Sequence, residues 1–402
     1  MFGMNGLVES RDSIIYVTSD WSGLKDVLLE KGATPKGMPA FFKPLVELNR
    51  LGVKVELIVL TSEFQQDDVS SDYFTNTHIT VLPWPSSKSF KATYDLIYSI
   101  YKICAIIKSV KPFFVYSLGP KGVLGTIAAK ITNTPVGVRV FGINTYYEKY
   151  QAQGELKFAL KSPLFYLMFK LRSNFILATN DGSPSDLMNQ KIGRKDNVFE
   201  CWENGFDFPD INLNNATNAS SYLIYPSRIS KKKQQLEVVK ILEKLHYLGH
   251  NEVKLLFAGH LTDKKYWEQI ERYIEDARLS DHVQYLGSLD KQALFKYMHE
   301  AICVISIQKV SNLSNIVLEA LSCNAVVLSF REPALCRFLE HGKSAILIND
   351  VEEGAFFISK LMQNARLEAE IRVNGRKALE MYIDTWDERI KRELNLIWQN
   401  RP

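Results

Sequence analysis

The sequence has little cysteine and scatters what it has. Cys104, Cys201, Cys303, Cys323 and Cys336 are odd in number, widely spaced and without a Cys-x-x-Cys pair. That excludes a disulfide framework and a cysteine-rich zinc site, and it fits a reducing compartment. No run of about 20 uninterrupted apolar residues exists, so no transmembrane helix is expected. The opening residues Met1-Phe2-Gly3-Met4-Asn5-Gly6 lack a basic segment followed by an apolar one, so no signal peptide and a cytoplasmic location are expected. An excess of one charge is missing too: 49 Lys and Arg against 45 Asp and Glu leave +4 on 402 residues. Nucleic-acid-binding domains usually carry a much stronger basic excess, so no such partner is expected.

The composition is that of a globular chain, 46% hydrophobic and 23% charged, and the length suits two or three domains. Short apolar runs alternate with helical patterns. The expected strands are Ile14–Thr18, Val53–Leu60, His78–Leu82, Phe113–Ser117, Val136–Val140, Phe175–Thr179 and Val198–Cys201, then Tyr222–Pro226, Val253–Ala258, Val283–Leu286, Ile302–Ser306, Ala325–Ser329 and Ala345–Ile348. Most are rich in Val, Ile, Leu and Phe with little polar alternation, which marks strands buried on both faces of parallel sheets. Helices are expected at Gln234–Leu248, Lys264–Ala277, Lys291–Ala301 and Glu353–Asn364. Repeated strand–helix alternation defines an α/β, doubly wound fold.

The alternation occurs twice, and residues 207–221 (DFPDINLNNATNASS) are polar, Asn-rich and aperiodic, as a linker would be. The expected organisation is a Rossmann-like domain over 1–206, the linker, and a second Rossmann-like domain over 222–385, facing each other across a cleft. Ligands of such folds sit beyond the carboxyl ends of the strands. Asn215 and Asn218 match the glycosylation pattern, which a cytosolic chain would not use. The stretch Phe158–Ala178 is aromatic and basic; it reads either as a core helix with Lys and Arg at its ends or as a segment lying on a membrane surface.

Three loops at expected strand ends carry chemistry. Tyr225-Pro-Ser-Arg228-Ile-Ser-Lys-Lys-Lys233 opens a helix and places two cations beside a helix N-terminus, an arrangement suited to a diphosphate. It reads equally as a solvated basic loop. Ser311-Asn-Leu-Ser314-Asn315-Ile316-Val-Leu-Glu319 holds a candidate N-cap in Ser314. Glu319 follows between apolar neighbours, either exposed or facing a specific partner such as a ribose diol. Leu286-Gly287-Ser288 would allow close backbone approach, as a base-lining loop needs. Histidines 246 and 250 are four apart on a helix, but no Glu follows His246 and no third ligand is apparent, so zinc is not expected. The stretch Leu118-Gly119-Pro-Lys121-Gly122-Val-Leu-Gly125 is not a P-loop, since no Gly-Lys-Ser/Thr occurs.

In order over residues 222–348 these motifs resemble the retaining, GT-B-fold glycosyltransferases of group 1 (family four). The family's Gly-Arg-Leu and Lys-Gly correspond to Ser227-Arg228-Ile229 and Lys233-Gln234. Its glycine-ended strand resembles Leu255-Leu-Phe-Ala-Gly259, its Val-x-Phe-x-Gly resembles Val283-Gln-Tyr-Leu-Gly287, and its Pro-Asn-Val-Leu-Leu-Glu-Ala resembles Ser314-Asn-Ile-Val-Leu-Glu319-Ala. Cys323-Asn-Ala-Val-Val-Leu328 and Leu339-Glu-His-Gly342 follow in register, Glu203-Asn204-Gly205-Phe-Asp207 resembles a Pro-Asn-Gly-Val-Asp at the linker, and Tyr382-Ile-Asp-Thr-Trp386 resembles the start of a last helix, about 386–402, that packs back on the first domain.

The resemblance implies a hexosyltransferase that moves a sugar from a UDP- or GDP-linked donor to a saccharide or lipid-linked acceptor with retention, in cell-surface polysaccharide or glycoconjugate synthesis. It implies no metal, and a protein that is cytoplasmic or peripheral on the inner face of a membrane. Arg228, Lys233 and Glu319 would be catalytic. Gly259, Gly287, Ser314, Asn315 and Ile316 would complete the donor site. Gly37, Met38, Gly119, Lys121, Arg139, Phe141 and Gly142 would line the acceptor side. Two departures stand out: Ser311 occupies the place of the family's first glutamate, eight positions before Glu319, and Phe141-Gly142 replaces a His-Gly. A nucleotide-sugar 2-epimerase of the same fold, or a catalytically silent binding protein, are the alternatives.

Overall fold

The computed structural model describes residues 12–33, 39–70, 73–74, 76–85, 90–211 and 221–402. The expected loop at Gly37 and Met38, the opening residues 1–6 and the two Asn-x-Ser/Thr sites lie outside them. The chain divides into two compact units. One comprises Met1–Thr179, Pro184–Trp202 and Asp387–Pro402; the other comprises Asn180–Ser183 and Glu203–Trp386. The division thus runs at Trp202/Glu203, upstream of the polar segment 207–221.

The first unit is built on a sheet of seven strands: β1 (Ser13–Ser19), β2 (Lys54–Thr61), β3 (Thr77–Pro83), β4 (Phe114–Leu118), β5 (Val136–Val140), β6 (Phe175–Asn180) and β7 (Val198–Glu203). Their spatial order is β3-β2-β1-β4-β5-β6-β7, and the pairs from β3 to β6 run parallel. The second sheet has β8 (Tyr222–Pro226), β9 (Lys254–Ala258), β10 (Val283–Tyr285), β11 (Cys303–Ser306), β12 (Val327–Phe330) and β13 (Ile346–Ile348), in the order β10-β9-β8-β11-β12-β13, all parallel. Each of the thirteen strands overlaps one read from the sequence. The order reverses between β1 and β4 and again between β8 and β11. At such a reversal the two flanking loops diverge and leave a crevice at the carboxyl ends of the strands.

Burial explains the strand compositions. Ile14, Ile15, Val17, Val115 and Phe114 in the first sheet, and Leu223, Ile224, Leu255, Phe257, Val304 and Ile305 in the second, are all inaccessible to water. The covering helices follow the 3.6-residue period. Helix Lys264–Asp276 buries Tyr266, Ile270 and Ile274, and Asp263 caps it by accepting from the Tyr266 N–H at 3.0 Å. Helix Gly119–Ile131 lies close on β1 and β4 because two of its residues lack side chains. A Cβ on Gly125 would come within 2.6 Å of Val17 Cγ2, and one on Gly122 within 3.0 Å of the Val17 carbonyl.

The stretch Phe158–Ala178 is not one helix. Pro163 opens a new helix, Pro163–Lys170, and the chain then enters β6. Its aromatic residues Phe158, Phe165 and Phe169 are buried with Met168 in the first unit's core. The apolar side chains turned outward are Leu156 and Leu160, beside the exposed Lys157 and Lys161. Among the described residues no helix is long and apolar enough to cross a membrane.

The helix Trp386–Gln399 reaches the first sheet through buried polar groups. Tyr116 donates to Glu393 at 2.6 Å, and Arg389 pairs with the other carboxylate oxygen at 2.9 Å. The Arg139 Nε lies 3.9 Å from the same carboxylate. Burial pushes the Tyr116 hydroxyl well above its ordinary pKa and pulls Arg389 below its own, while the Glu393 carboxylate acts on Arg389 in the opposite sense.

Candidate functional site

The second unit gathers its sequence-expected residues at the reversal between β8 and β11. The loop after β8 crosses to β9: the Ser227 N–H donates to the Ala258 carbonyl at 2.7 Å and the Ile229 N–H to the His260 carbonyl at 2.9 Å. Gly259 makes this crossing feasible, since a Cβ there would sit 2.4 Å from the Ser227 oxygen, and its φ of 140° disfavours other residues. Gly259 in turn donates to the Gly287 carbonyl at 2.7 Å. Gly287, with φ 71° and open space around it, ends the β10 loop beside them. The loops after β8, β9 and β10 are therefore one hydrogen-bonded rim.

Lys233 bridges to the β11 side. Its Nζ donates to Gln308 Oε1 at 2.6 Å, and the buried Tyr225 hydroxyl bonds both the Lys233 and the Ile307 carbonyls. The partner of the ammonium is a neutral amide. Burial, then the nearby Arg228 cation, pull the Lys233 pKa down to about 8, with Asp181 acting in the opposite sense. Arg228 itself is exposed, while its carbonyl accepts from Gln235 at 2.8 Å, which pins its backbone. Two cations thus lie close together, and among the described residues no carboxylate is bonded to either side chain.

Backbone strain falls at the same place. Six described residues other than glycine have positive φ. Lys111, Asn133, Arg278 and Asn324 follow helix ends, the usual place for it. Gln234 (φ 55°) likewise ends a short 3-10 helix, Lys231–Lys233, directly before helix Gln235–Tyr247, whereas Ser311 (φ 64°) lies in the β11 loop. Each costs about 1 kcal/mol and persists only where the surroundings impose it.

Those surroundings were missed from the sequence. Glu332 accepts from the Asn312 N–H at 2.9 Å, the Leu313 N–H at 3.2 Å and the Asn312 amide at 3.1 Å. Asn312 passes the restraint on by accepting from the Gln308 N–H at 2.8 Å. A Cβ on Gly182 would lie 2.2 Å from the Glu332 oxygen and 3.4 Å from the Ser311 Cα, so residues 180–183 press on this loop as well. No motif signals such a carboxylate, because its 20-residue separation from Asn312 closes only in the folded sheet.

Helix Asn315–Ser322 starts here. The expected cap does not form: Ser314 makes no side-chain bond to the helix end, and its Oγ instead lies 3.2 Å from Ser306 Oγ. The Asn315 and Ile316 N–H groups make no backbone hydrogen bond among the described residues. Asn315 Oδ1 accepts from Asn204 at 2.7 Å, which ties the expected Glu203–Asp207 motif to the helix start. One turn on, the Glu319 carboxylate has no hydrogen-bond partner among the described residues, although it is surrounded closely enough that burial pushes its pKa up to about 7. Lys291 counters that shift, and Lys291 is itself paired with Asp207 at 2.7 Å. An unbonded, partly desolvated carboxylate costs stability unless something donates to it.

The first unit treats its expected residues differently. Lys121 lies at the reversal between β1 and β4, but its Nζ is taken by Asp20 at 3.1 Å and the Leu60 carbonyl at 3.3 Å. Arg139 is not at the surface. It is fully buried and donates to the Leu177 carbonyl and Thr179 Oγ1 at 3.1 and 3.0 Å. Phe141 stacks on Phe41 with ring centres 3.9 Å apart. Gly119 and Gly142 both have positive φ and open space, and each stands at a helix start. His246 and His250, the pair considered for zinc, face separate partners, the Val253 carbonyl and Ser359 Oγ.

Two parallel, doubly wound sheets, each with a strand-order reversal, define a GT-B-like architecture, and solved structures bear this out. The chain is similar to HepE of Anabaena in a complex with UDP and glucose (16% identity, TM-score 0.70, 96% of this chain and 99% of that one). It is similar to the sucrose-phosphate synthase of Thermosynechococcus elongatus (14%, TM-score 0.70, 96% and 98%) and to a glycosyltransferase from Rickettsia africae (14%, TM-score 0.68, 97% and 98%). Residues 210–378, within the second unit, match the family model "Glycosyl transferases group 1".

Proposed function

We propose that this protein is a nucleotide-sugar-dependent glycosyltransferase whose second unit holds the donor. The observation that carries the reading is the rim at the β8–β11 reversal, where Arg228 and an amide-bonded Lys233 stand near a helix start with free N–H groups and an unpartnered Glu319. The two cations and the Asn315 and Ile316 N–H groups suit the diphosphate, since Arg binds such groups bidentately and helix starts favour anions. Glu319, once ionised, would accept from both hydroxyls of the ribose. Gly259 and Gly287 leave room for a base to lie against backbone.

Departure of the nucleotide places negative charge on the diphosphate as the sugar becomes oxocarbenium-like. Donors already aimed at that charge lower the barrier, and this is the catalytic work of Arg228 and Lys233. They would do so without a divalent metal, and activity in excess EDTA tests that point. Transfer would go to a saccharide or lipid-linked saccharide with retention, in polysaccharide or glycoconjugate synthesis; the anomeric proton couplings of the product test the stereochemistry. Leu156 and Leu160 with Lys157 and Lys161 are the side chains that would meet a membrane, which sedimentation with anionic vesicles tests.

The primary test is isothermal titration with UDP, GDP and ADP against Arg228→Ala and Glu319→Gln. Both substitutions should weaken binding of the preferred nucleotide with the fold intact, and unchanged affinity in both rejects the assignment. A silent binding protein is the second reading, favoured by Ser311 and by Phe141 stacked on Phe41 in place of a polar pair. It predicts nucleotide binding with neither hydrolysis nor transfer. Release of a 2-epimer from donor alone would instead indicate an epimerase.

A further inference from the structure

The first unit contains a pocket of about 640 Å³ that none of the sequence motifs touches, at the carboxyl ends of β2 and β3 beside helix Phe90–Val110. Its volume lies within the roughly 300–1,000 Å³ usual for small-ligand sites. Thr61 and Pro83, the last residues of the two strands, form its floor together with Trp84. The Trp84 backbone N–H donates to the Thr61 carbonyl at 2.9 Å, which places the residue, and the Lys121 ammonium lies 5.2 Å from the centre of its ring.

Three polar groups of the lining are idle. The Trp84 indole N–H, the Tyr98 hydroxyl and the half-buried Asp95 carboxylate make no hydrogen bond with any described residue, although all three line the pocket. Tyr98 is held by stacking on Tyr94 at 6.1 Å, so its hydroxyl rather than its face is what the pocket receives. Glu63 adds a second carboxylate, paired at 2.6 Å with Lys25. Two donors and two strong acceptors are thus arranged around one aromatic ring. The described lining residues include the carboxylates Glu63, Asp68 and Asp95 and no cation. A phosphate or nucleotide would meet repulsion there, whereas a ligand with alternating hydroxyl donors and acceptors and an apolar ring face would satisfy every idle group.

We propose that this pocket is a subsite for a neutral saccharide, with Trp84 as the platform for a sugar ring, Asp95 accepting from its hydroxyls, and Tyr98 donating to them. That the saccharide is the acceptor rests on the glycosyltransferase reading above; the binding itself does not. The pocket lies beside Lys121 but not at the β1–β4 reversal, so it would hold a residue of an extended acceptor away from the reacting sugar.

The test uses the full chain, saturation-transfer NMR, and maltotetraose, cellotetraose and N,N′-diacetylchitobiose as probes, with UDP titrated in parallel. At least one oligosaccharide should bind, and Trp84→Ala and Asp95→Asn should each weaken it about tenfold or more, the loss expected for a hydrogen bond to a charged group. UDP affinity should not change in either variant, and an unchanged melting temperature and circular dichroism spectrum would show that both fold. Absence of binding by all three probes, or binding undiminished in both variants, overturns the proposal. Saccharide binding that responds to the variants in a protein that binds none of UDP, GDP and ADP would sink the glycosyltransferase reading and leave the subsite standing. UDP binding without saccharide binding would do the reverse.

Discussion

Each sheet has a lysine at its reversal point, and the two lysines have opposite partners. In the first unit Lys121 meets the carboxylate of Asp20 at 3.1 Å, so its charge is cancelled locally. In the second, Lys233 meets the amide of Gln308 at 2.6 Å, and its charge is left over. The same fold feature thus carries a locally neutralised cation in one half and a cation bonded to a neutral amide in the other. On the proposed reading, that difference of one side chain, acid or amide, is what would let the second unit receive the diphosphate. Burial and the nearby Arg228 cation, with no carboxylate bonded to offset them, bring the Lys233 pKa down to about 8.

The sharpest way to break this comparison is Gln308→Glu, which gives the second lysine the partner of the first. Like-charge contact with a diphosphate costs several kcal/mol, so nucleotide affinity should fall by about 100-fold or more in calorimetry. Retained affinity would show that Lys233 is not a phosphate ligand. Arg228→Ala removes an exposed cation with no internal bond. It should cost about 10- to 100-fold in affinity while the melting temperature holds.

Lys233 also makes a prediction about protons. Its folded pKa of about 8 is below the usual lysine value, so at pH 8.5 much of it is neutral in the free protein. A bound diphosphate favours the charged form, so titrations in two buffers of different ionisation enthalpy should reveal proton uptake at pH 8.5. Lys233→Met should abolish it.

Glu319 gives a smaller effect with a distinctive sign. Its folded pKa of about 7 is above the ordinary carboxyl value of 4.5. The unfolded chain therefore gives up this proton first as pH rises, and the group's contribution to stability, intact below about pH 4.5, is lost by pH 7 to 8. Glu319→Gln should raise the melting temperature at pH 8, leave it nearly unchanged at pH 4.5, and lower nucleotide affinity at pH 8 about tenfold. A variant both less stable and weaker in binding would mark Glu319 as a structural residue instead. Smallest of all, Lys121→Met should shift stability by less than about 1 kcal/mol and leave nucleotide affinity alone, as befits a partly exposed ion pair.

What could be read from the sequence follows from how each feature is encoded. The strands were legible because two-sided burial forces uninterrupted apolar runs such as Leu255–Ala258. Gly259 and Gly287 were legible because positive φ and close backbone approach leave few residue choices. Arg228 and Glu319 were legible through their fixed distance from such backbone signals. Glu332 and Gln308 were not, since a side chain that braces a loop from another strand obeys no local spacing. The burial of Arg139 was not legible for the same reason: only the return of residues 387–402 brings the buried carboxylate of Glu393 near it. Ser314 had the residue type and position of a cap, yet Ser306 draws its hydroxyl aside.

The first unit takes residues from both extremes of the numbered chain, and this imposes an order on synthesis. Its central strands emerge from the ribosome early, yet Tyr116 waits for Glu393, made 277 residues later, and Leu394 and Ile397 fill the same interior. The second unit, whose last residue is Trp386, is translated in full before that helix appears. The half of the protein that is born first is therefore completed last, and until then the nascent chain exposes a sheet face that chaperones would have to shield.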